Sequence, residues 1–193
     1  MDFSWKISLA AKWIKAGQVI AYPTESVYGL GCNPKNLPAV QQILDIKQRS
    51  YKKGLILVAS NIEQMIPYMD NPTPQMIARI LTPSDTVTTW VIPANKNLSS
   101  LLTGEQQTNK QVNNKTIAMR LSKHPVIFSL CQKLGHPIVS TSANKTGKAM
   151  CWSALAVKLH FRTKIKYILN APSGKSTKPS EIRDILSNQI MRG

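Results

Sequence analysis

A chain of 193 residues with 42% hydrophobic side chains can bury one core of ordinary size, so a single domain over 1–193 is expected. Lys and Arg number 25 against 9 Asp and Glu, a net charge of +16 that favours polyphosphate or nucleic acid partners. No run of about 18 apolar residues exists to span a membrane, and three scattered cysteines, Cys32, Cys131 and Cys151, fit reduced thiols better than a disulfide framework.

Residues 4–16 read as a helix, with Ser4 as its cap, Trp5, Leu9, Trp13 and Ala16 at helical spacing, and Gly17 at its end. Residues 18–22 form a short apolar strand stopped by Pro23, followed by a loop with Gly29 and Gly31. Pro38 suits the first turn of a second helix carrying Val40, Ile43, Leu44 and Lys47. The continuous apolar run 55–59 has the pattern of a strand covered on both faces. Short helices are expected over 62–69 and 75–81, then a β-branched strand over 86–92. Residues 93–115 are polar and read as an excursion. A strand over 116–121 follows, then a helix from Pro125 to Leu134 closed by Gly135, and a strand over 137–140. A helix over 154–161, a strand over 166–169 and a lysine-bearing loop over 171–179 complete the pattern. Interleaved strands and helices without an internal repeat predict an α/β or α+β domain with a mixed sheet.

The charge is uneven, with net +4 in residues 1–100 and +12 in 101–193. The N-terminus lacks the basic start and apolar run of a signal peptide, so a cytoplasmic location is expected. His124, His136 and His160 are dispersed and no CxxC pair occurs, so no dedicated metal site is expected, and these residues read as packing groups.

Four clusters lie at strand ends or in the loops after them, where α/β proteins place ligands. The first is Tyr22-Pro23-Thr24-Glu25-Ser26-Val27-Tyr28-Gly29-Leu30-Gly31, whose glycines allow close backbone approach. Lys47-Gln48-Arg49, with Lys52 and Lys53 beyond, closes the second helix; basic residues there also answer the helix dipole. The third is Thr116-Ile117-Ala118-Met119-Arg120, a strand with one arginine near its end. The fourth is Ser140-Thr141-Ser142-Ala143-Asn144, a turn type that also serves local hydrogen bonding.

Taken together, these stretches resemble the YrdC/TsaC family of threonylcarbamoyl-AMP synthases in its short bacterial form. The matching segments are AYPTESVYGLGCNP at 21–34, KQRSYKKGLILVASN at 47–61, AMRLSKHP at 118–125, PIVSTSAN at 137–144 and PSEIRD at 179–184. The resemblance implies a twisted open mixed sheet flanked by helices, with a positively charged concave cavity. It implies synthesis of threonylcarbamoyl-AMP and pyrophosphate from L-threonine, bicarbonate and ATP. The TsaD-TsaB-TsaE machinery would then transfer the threonylcarbamoyl group to the adenosine just 3′ of the anticodon, with tRNA met weakly or indirectly. The family tetrad maps onto Lys47, Arg49, Ser142 and Asn144, which would hold ATP together with Lys53, Thr116 and Arg192. Thr24, Ser26, Arg120 and Ser140 would contact threonine, with Arg120 facing its carboxylate.

Those roles are physically coherent. ATP, carbamate and threonine bring several negative charges together, a Coulomb cost that Lys47, Arg49, Lys53 and Arg120 would offset. A guanidinium grips a carboxylate through two parallel hydrogen bonds, which lysine cannot do. The carbamate oxygen is itself the nucleophile, so no Ser-His or Cys-His pair is needed, and none is evident. Mg2+ is expected on ATP oxygens and water; acids are scarce near the cluster, with Glu25 inside the first motif.

One stretch departs from the family pattern. Where the family usually carries WPGP(V/L)T, this chain reads Thr82-Pro83-Ser84-Asp85-Thr86-Val87-Thr88-Thr89, and a loop of another shape that avoids positive φ is expected. A single-domain form, without the longer C-terminal domain of some members, is expected. An alternative, favoured by the +12 half, is an RNA-binding or ribosome-maturation module. Its aromatic residues, however, do not interleave with bases as a single-strand platform would. A different carbamoyl or sugar-phosphate chemistry on the same fold is a third reading.

Overall fold

The computed structural model describes residues 3–84, 86–104, 115–174, 176 and 180–192, with Arg192 described by its backbone alone. The helices are α1 (Ser4–Lys15), α2 (Leu37–Lys47), α3 (Pro74–Leu81), α4 (Ser100–Thr103), α5 (Pro125–Leu134) and α6 (Ala154–Phe161). The strands are β1 (Ile20–Pro23), β2 (Tyr28–Gly31), β3 (Ile56–Ala59), β4 (Thr88–Pro93), β5 (Thr116–Leu121), β6 (Ile138–Ser142), β7 (Tyr167–Ile168), β8 (Glu181–Asp184) and β9 (Ile190–Arg192). They form one mixed sheet in the order β7-β1-β2-β6-β3-β5-β4-β8-β9. β3/β5, β1/β7 and β4/β8 are parallel; the other neighbours are antiparallel.

Alternation along the strands sends side chains to two cores. Leu57, Ala59, Ile117, Met119 and Val139 pack with Val40, Ile43 and Leu44 of α2, Met76 and Ile80 of α3, and Val157 and Phe161 of α6. Ile20, Tyr22, Val58 and Ile138 face the other way, onto Ile7, Ala10 and Ile14 of α1 and Val126, Ile127 and Leu130 of α5. Ile56 shares that second face with Val58, two residues away, and packs at the edge of this core where it also lines a cavity.

Helix ends follow local chemistry. The Asn36 side chain accepts from Ala39 N at 3.0 Å and Pro38 fills the first turn of α2. Gly135, at φ +74°, closes α5 in the left-handed conformation. Strand β5 and helices α5 and α6 occupy the ranges expected from sequence.

Several expectations need correction. The buried face of α1 is Ile7, Ala10, Ala11 and Ile14, and Trp5 stays 63% exposed. The small alanines allow close packing on α5, which the bulkier Trp5–Trp13 stripe would prevent. The residue preceding α1 is Phe3, and no side chain caps the helix. The expected loop with Gly29 and Gly31 is β2, paired antiparallel with β1; its two glycines hid a strand. Pro23 does not stop β1 but ends it in register with Tyr28. Residues 62–69 give only a 3-10 turn at Ile66–Tyr68. Part of the polar excursion is ordered as α4, while 105–114 lie outside the described residues. β8 and β9 were not expected.

Candidate active site

A cavity of about 540 Å³ opens on the face of the sheet that α1 and α5 leave uncovered. Its floor alternates as a strand should: Thr116, Ala118 and Arg120 of β5 point into it, while Ile117 and Met119 point into the core. Thr24 and Ser26 of the β1–β2 turn, Ser140 and Ser142 of β6, and Arg49 and Lys53 contribute to the polar part of the wall, along with Thr103, Thr141 and Ser180. Its cationic lining is Arg49, Lys53 and Arg120, and among the described residues no carboxylate side chain lines it.

Three members of the tetrad, Lys47, Ser142 and Asn144, are bonded together at the end of β6, and of the four Arg49 and Ser142 line the cavity while Lys47 and Asn144 do not. Lys47 Nζ donates to the backbone carbonyls of Ser142 and Asn144 and to Asn144 Oδ1. Ser142 Oγ donates to the same Asn144 Oδ1 at 2.7 Å, and Asn144 Nδ2 donates to Lys148 O at 2.7 Å. The Lys47 carbonyl accepts in turn from Thr146 N at 3.0 Å and Thr146 Oγ1 at 3.1 Å. Lys47 therefore departs from the exposed cavity charge expected of it: it is 2% exposed and clamps the turn from behind. Burial, reinforced by the positive charge of Arg49, pushes its pKa down to about 8.

Gln48 makes this arrangement possible. Its left-handed backbone (φ 53°) closes α2 with Arg49 N bonded to Leu44 O at 2.9 Å. Beyond that bend Arg49 Nη2 donates to Gly54 O at 3.0 Å and lines the cavity that Lys47 does not reach.

The family-model match to Sua5_yciO_yrdC, described as Telomere recombination, covers residues 12–193. The chain belongs to the Sua5/YciO/YrdC family. Two relatives named threonylcarbamoyl-AMP synthase support this. That of Pseudoalteromonas translucida is 42% identical over 189 residues, 97% of each chain. That of Haemophilus ducreyi is 44% identical over 181 residues, 93% of this chain and 94% of its own. The crystal structure of P. abyssi Sua5 complexed with L-threonine superposes with a TM-score of 0.81 at 30% identity over 95% of this chain. This chain spans about half of that protein (52%).

Within this Sua5/YciO/YrdC chain the remaining expected residues fall as follows. Thr24 lines the cavity, but its hydroxyl is occupied locally, donating to Val27 O at 2.7 Å and accepting from Ser26 N at 3.3 Å. The Thr116 hydroxyl is buried in the wall with no hydrogen-bond partner among the described residues. Arg120 lines the cavity but is paired with Glu25, Nη2 to Oε2 at 3.1 Å. The Arg192 side chain lies outside the described residues.

Residues 82–84 and 86–89 contain no positive φ, in keeping with the missing glycine of that stretch. Thr89 Oγ1 lies 2.8 Å from Ser180 Oγ and ties β4 to the start of β8.

Sequence reasoning missed Met150, Trp152, Ser180, Ile182 and Met191 on the cavity wall. The alternation of Ser180 and Ile182 within PSEIRD was the available signal; Met150 and Trp152 carried none. The cysteines are all buried, and burial pushes Cys32 and Cys131 up to about 12. Neither is poised as a nucleophile at neutral pH. No described helix is long and apolar enough to cross a membrane.

Proposed function

We propose that this chain makes threonylcarbamoyl-AMP and pyrophosphate from L-threonine, bicarbonate and ATP, acting as one unit over its whole length in the cytoplasm. The observation that carries this is the meeting of the five motif stretches at one cavity whose charged lining is entirely cationic among the described residues. The names of the 42% and 44% identical relatives agree with it.

The chemistry balances without a protein nucleophile. The threonine amine adds to bicarbonate and water leaves, giving a carbamate. A carbamate oxygen then attacks the α-phosphorus of ATP and pyrophosphate departs. The chain supplies position and charge. Arg49 and Lys53 hold the phosphates, Ser142 meets phosphate or ribose oxygens with Asn144 bracing its hydroxyl, and Arg120 takes the threonine carboxylate beside Thr24, Ser26 and Ser140. Lys47 sets the shape of the Ser142–Asn144 turn. Thr116, with its unsatisfied hydroxyl, offers one donor to a bound oxygen. No cluster of three His, Cys, Asp or Glu able to hold a metal occurs among the described residues. Mg2+ would enter on the oxygens of ATP, as part of the substrate, because this ion keeps phosphate and water ligands. The product passes to the machinery that modifies tRNA.

The test is pyrophosphate release by the purified chain with bicarbonate and Mg-ATP, with and without L-threonine. Release that requires threonine supports the proposal; release indifferent to threonine rejects it.

A further inference from the structure

Glu25 belongs to none of the roles above and does not line the cavity, yet its carboxylate is anchored just behind Arg120, which does. Its carboxylate accepts from Arg120 Nη2 at 3.1 Å and from Ser122 Oγ, and the Ser122 oxygen in turn accepts from His124 N at 3.2 Å. Its backbone is held as well: Gly174 N donates to Thr24 O at 2.8 Å and Ser176 N to Glu25 O at 3.0 Å. A side chain at Gly174 would overlap the Glu25 carbonyl, so the 171–174 segment lies directly on this turn. Side-chain exposure is only 12% for Arg120 and 17% for Glu25.

The pair sits at one end of the cavity. The β3/β5 register sets Arg120 beside Val58, whereas Arg49 is bonded to the carbonyl of Gly54. Four residues of extended chain separate those points by about 13 Å. Arg120 lines the cavity, and its buried Nε has no hydrogen-bond partner among the described residues, so the guanidinium keeps donor capacity beyond the one Nη2 contact with Glu25. The Arg120 charge is largely cancelled by Glu25, so a polyphosphate gains little there. A zwitterion is a better match, its carboxylate meeting the Arg120 edge and its ammonium gaining from the neighbouring carboxylate.

We propose that Glu25 is a specificity-determining residue that keeps the Arg120 end of the cavity for a zwitterionic amino acid and turns polyphosphate away from it. This rests on the assignment of Arg120 to threonine under the proposed function.

The test is calorimetric binding of L-threonine and of inorganic tripolyphosphate, measured separately and in competition, to the full chain and to Glu25→Gln and Ser122→Ala. Glu25→Gln is expected to weaken L-threonine about tenfold and to make tripolyphosphate compete with it, because one anionic partner is lost. Ser122→Ala keeps the charge and loosens the anchor, so L-threonine should weaken about threefold with tripolyphosphate unchanged. A Glu25→Gln protein with the wild-type ratio of the two affinities overturns the proposal. So does a Ser122→Ala protein that gains tripolyphosphate competition while retaining the carboxylate. Failure of the unaltered chain to bind L-threonine at all would instead remove the functional assignment beneath it.

Discussion

The Lys47 ammonium donates to the Asn144 backbone carbonyl at 2.8 Å and to the Asn144 side-chain oxygen at 3.1 Å, fastening the end of α2 to the turn after β6. The SxN turn thus owes its shape to a buried cation. The cavity-facing charge at this helix end is Arg49, two residues on.

That clamp makes activity and stability respond oppositely to alkali. With its pKa lowered to about 8 from 10.5, folded Lys47 sheds its proton over a range where the unfolded chain keeps it. Between these values the unfolded state binds more protons, so the Lys47 contribution to stability rises with pH. A neutral amine has only two N–H groups for three acceptors, so the turn loosens and turnover falls as pH passes about 8. Turnover and thermal unfolding profiles between pH 7 and 10 check this; in Lys47→Met both Lys47-dependent trends should vanish.

Lys47→Met leaves the turn carbonyls and Asn144 Oδ1 without their donor. Stability is expected to fall by about 2 kcal/mol, and turnover about a hundredfold through misplacement of Ser142 and Asn144. Denaturant unfolding and steady-state kinetics measure both. Charge reversal here would bury an acid against carbonyls, so a Lys47 reversal is expected to unfold the chain rather than merely silence it.

Arg49→Ala acts from the cavity side. It should raise KM for ATP about tenfold, the scale of a lost charge-assisted contact. KM for threonine should change far less, because threonine is assigned to the Arg120 end.

Gly31→Ala tests the sheet. The added carbon would overlap Val139 O and lie 2.7 Å from Tyr22 Cε1, with β2 fixed between β1 and β6. A loss of about 2 kcal/mol in denaturant unfolding is expected. By contrast Gly174→Ala strikes the loop on Glu25, and its effect should appear as a raised KM for threonine.

Much of this was legible in sequence because local chemistry and global packing agree. Pro125 and Gly135 bracket α5, and β-branched and apolar residues mark β5 and β3. The YPTESVYGLG stretch was misread because glycines normally argue against a strand. Here Gly29 and Gly31 let β2 lie against Tyr22, Thr24 and the β6 backbone, a tertiary demand that no local pattern announces. Helical spacing alone did not single out the α1 face that packs, because the space beside α5 admits Ala10 and Ala11 with Ile7 and Ile14 rather than the Trp5–Trp13 stripe. The site residues were readable as a set, but their division of labour was not. Lys47 and Arg49 differ by one left-handed residue, and Glu25 gains meaning only once Arg120 is seen beside it.

The most direct measurement is the mass of the nucleotide product formed from carbon-13-labelled bicarbonate, L-threonine and Mg-ATP. A product joining AMP to one threonine and one labelled carbon, formed with pyrophosphate in equal amount, is the expected result. Pyrophosphate accompanied only by free AMP, or an AMP–threonine adduct without the labelled carbon, would contradict the assignment.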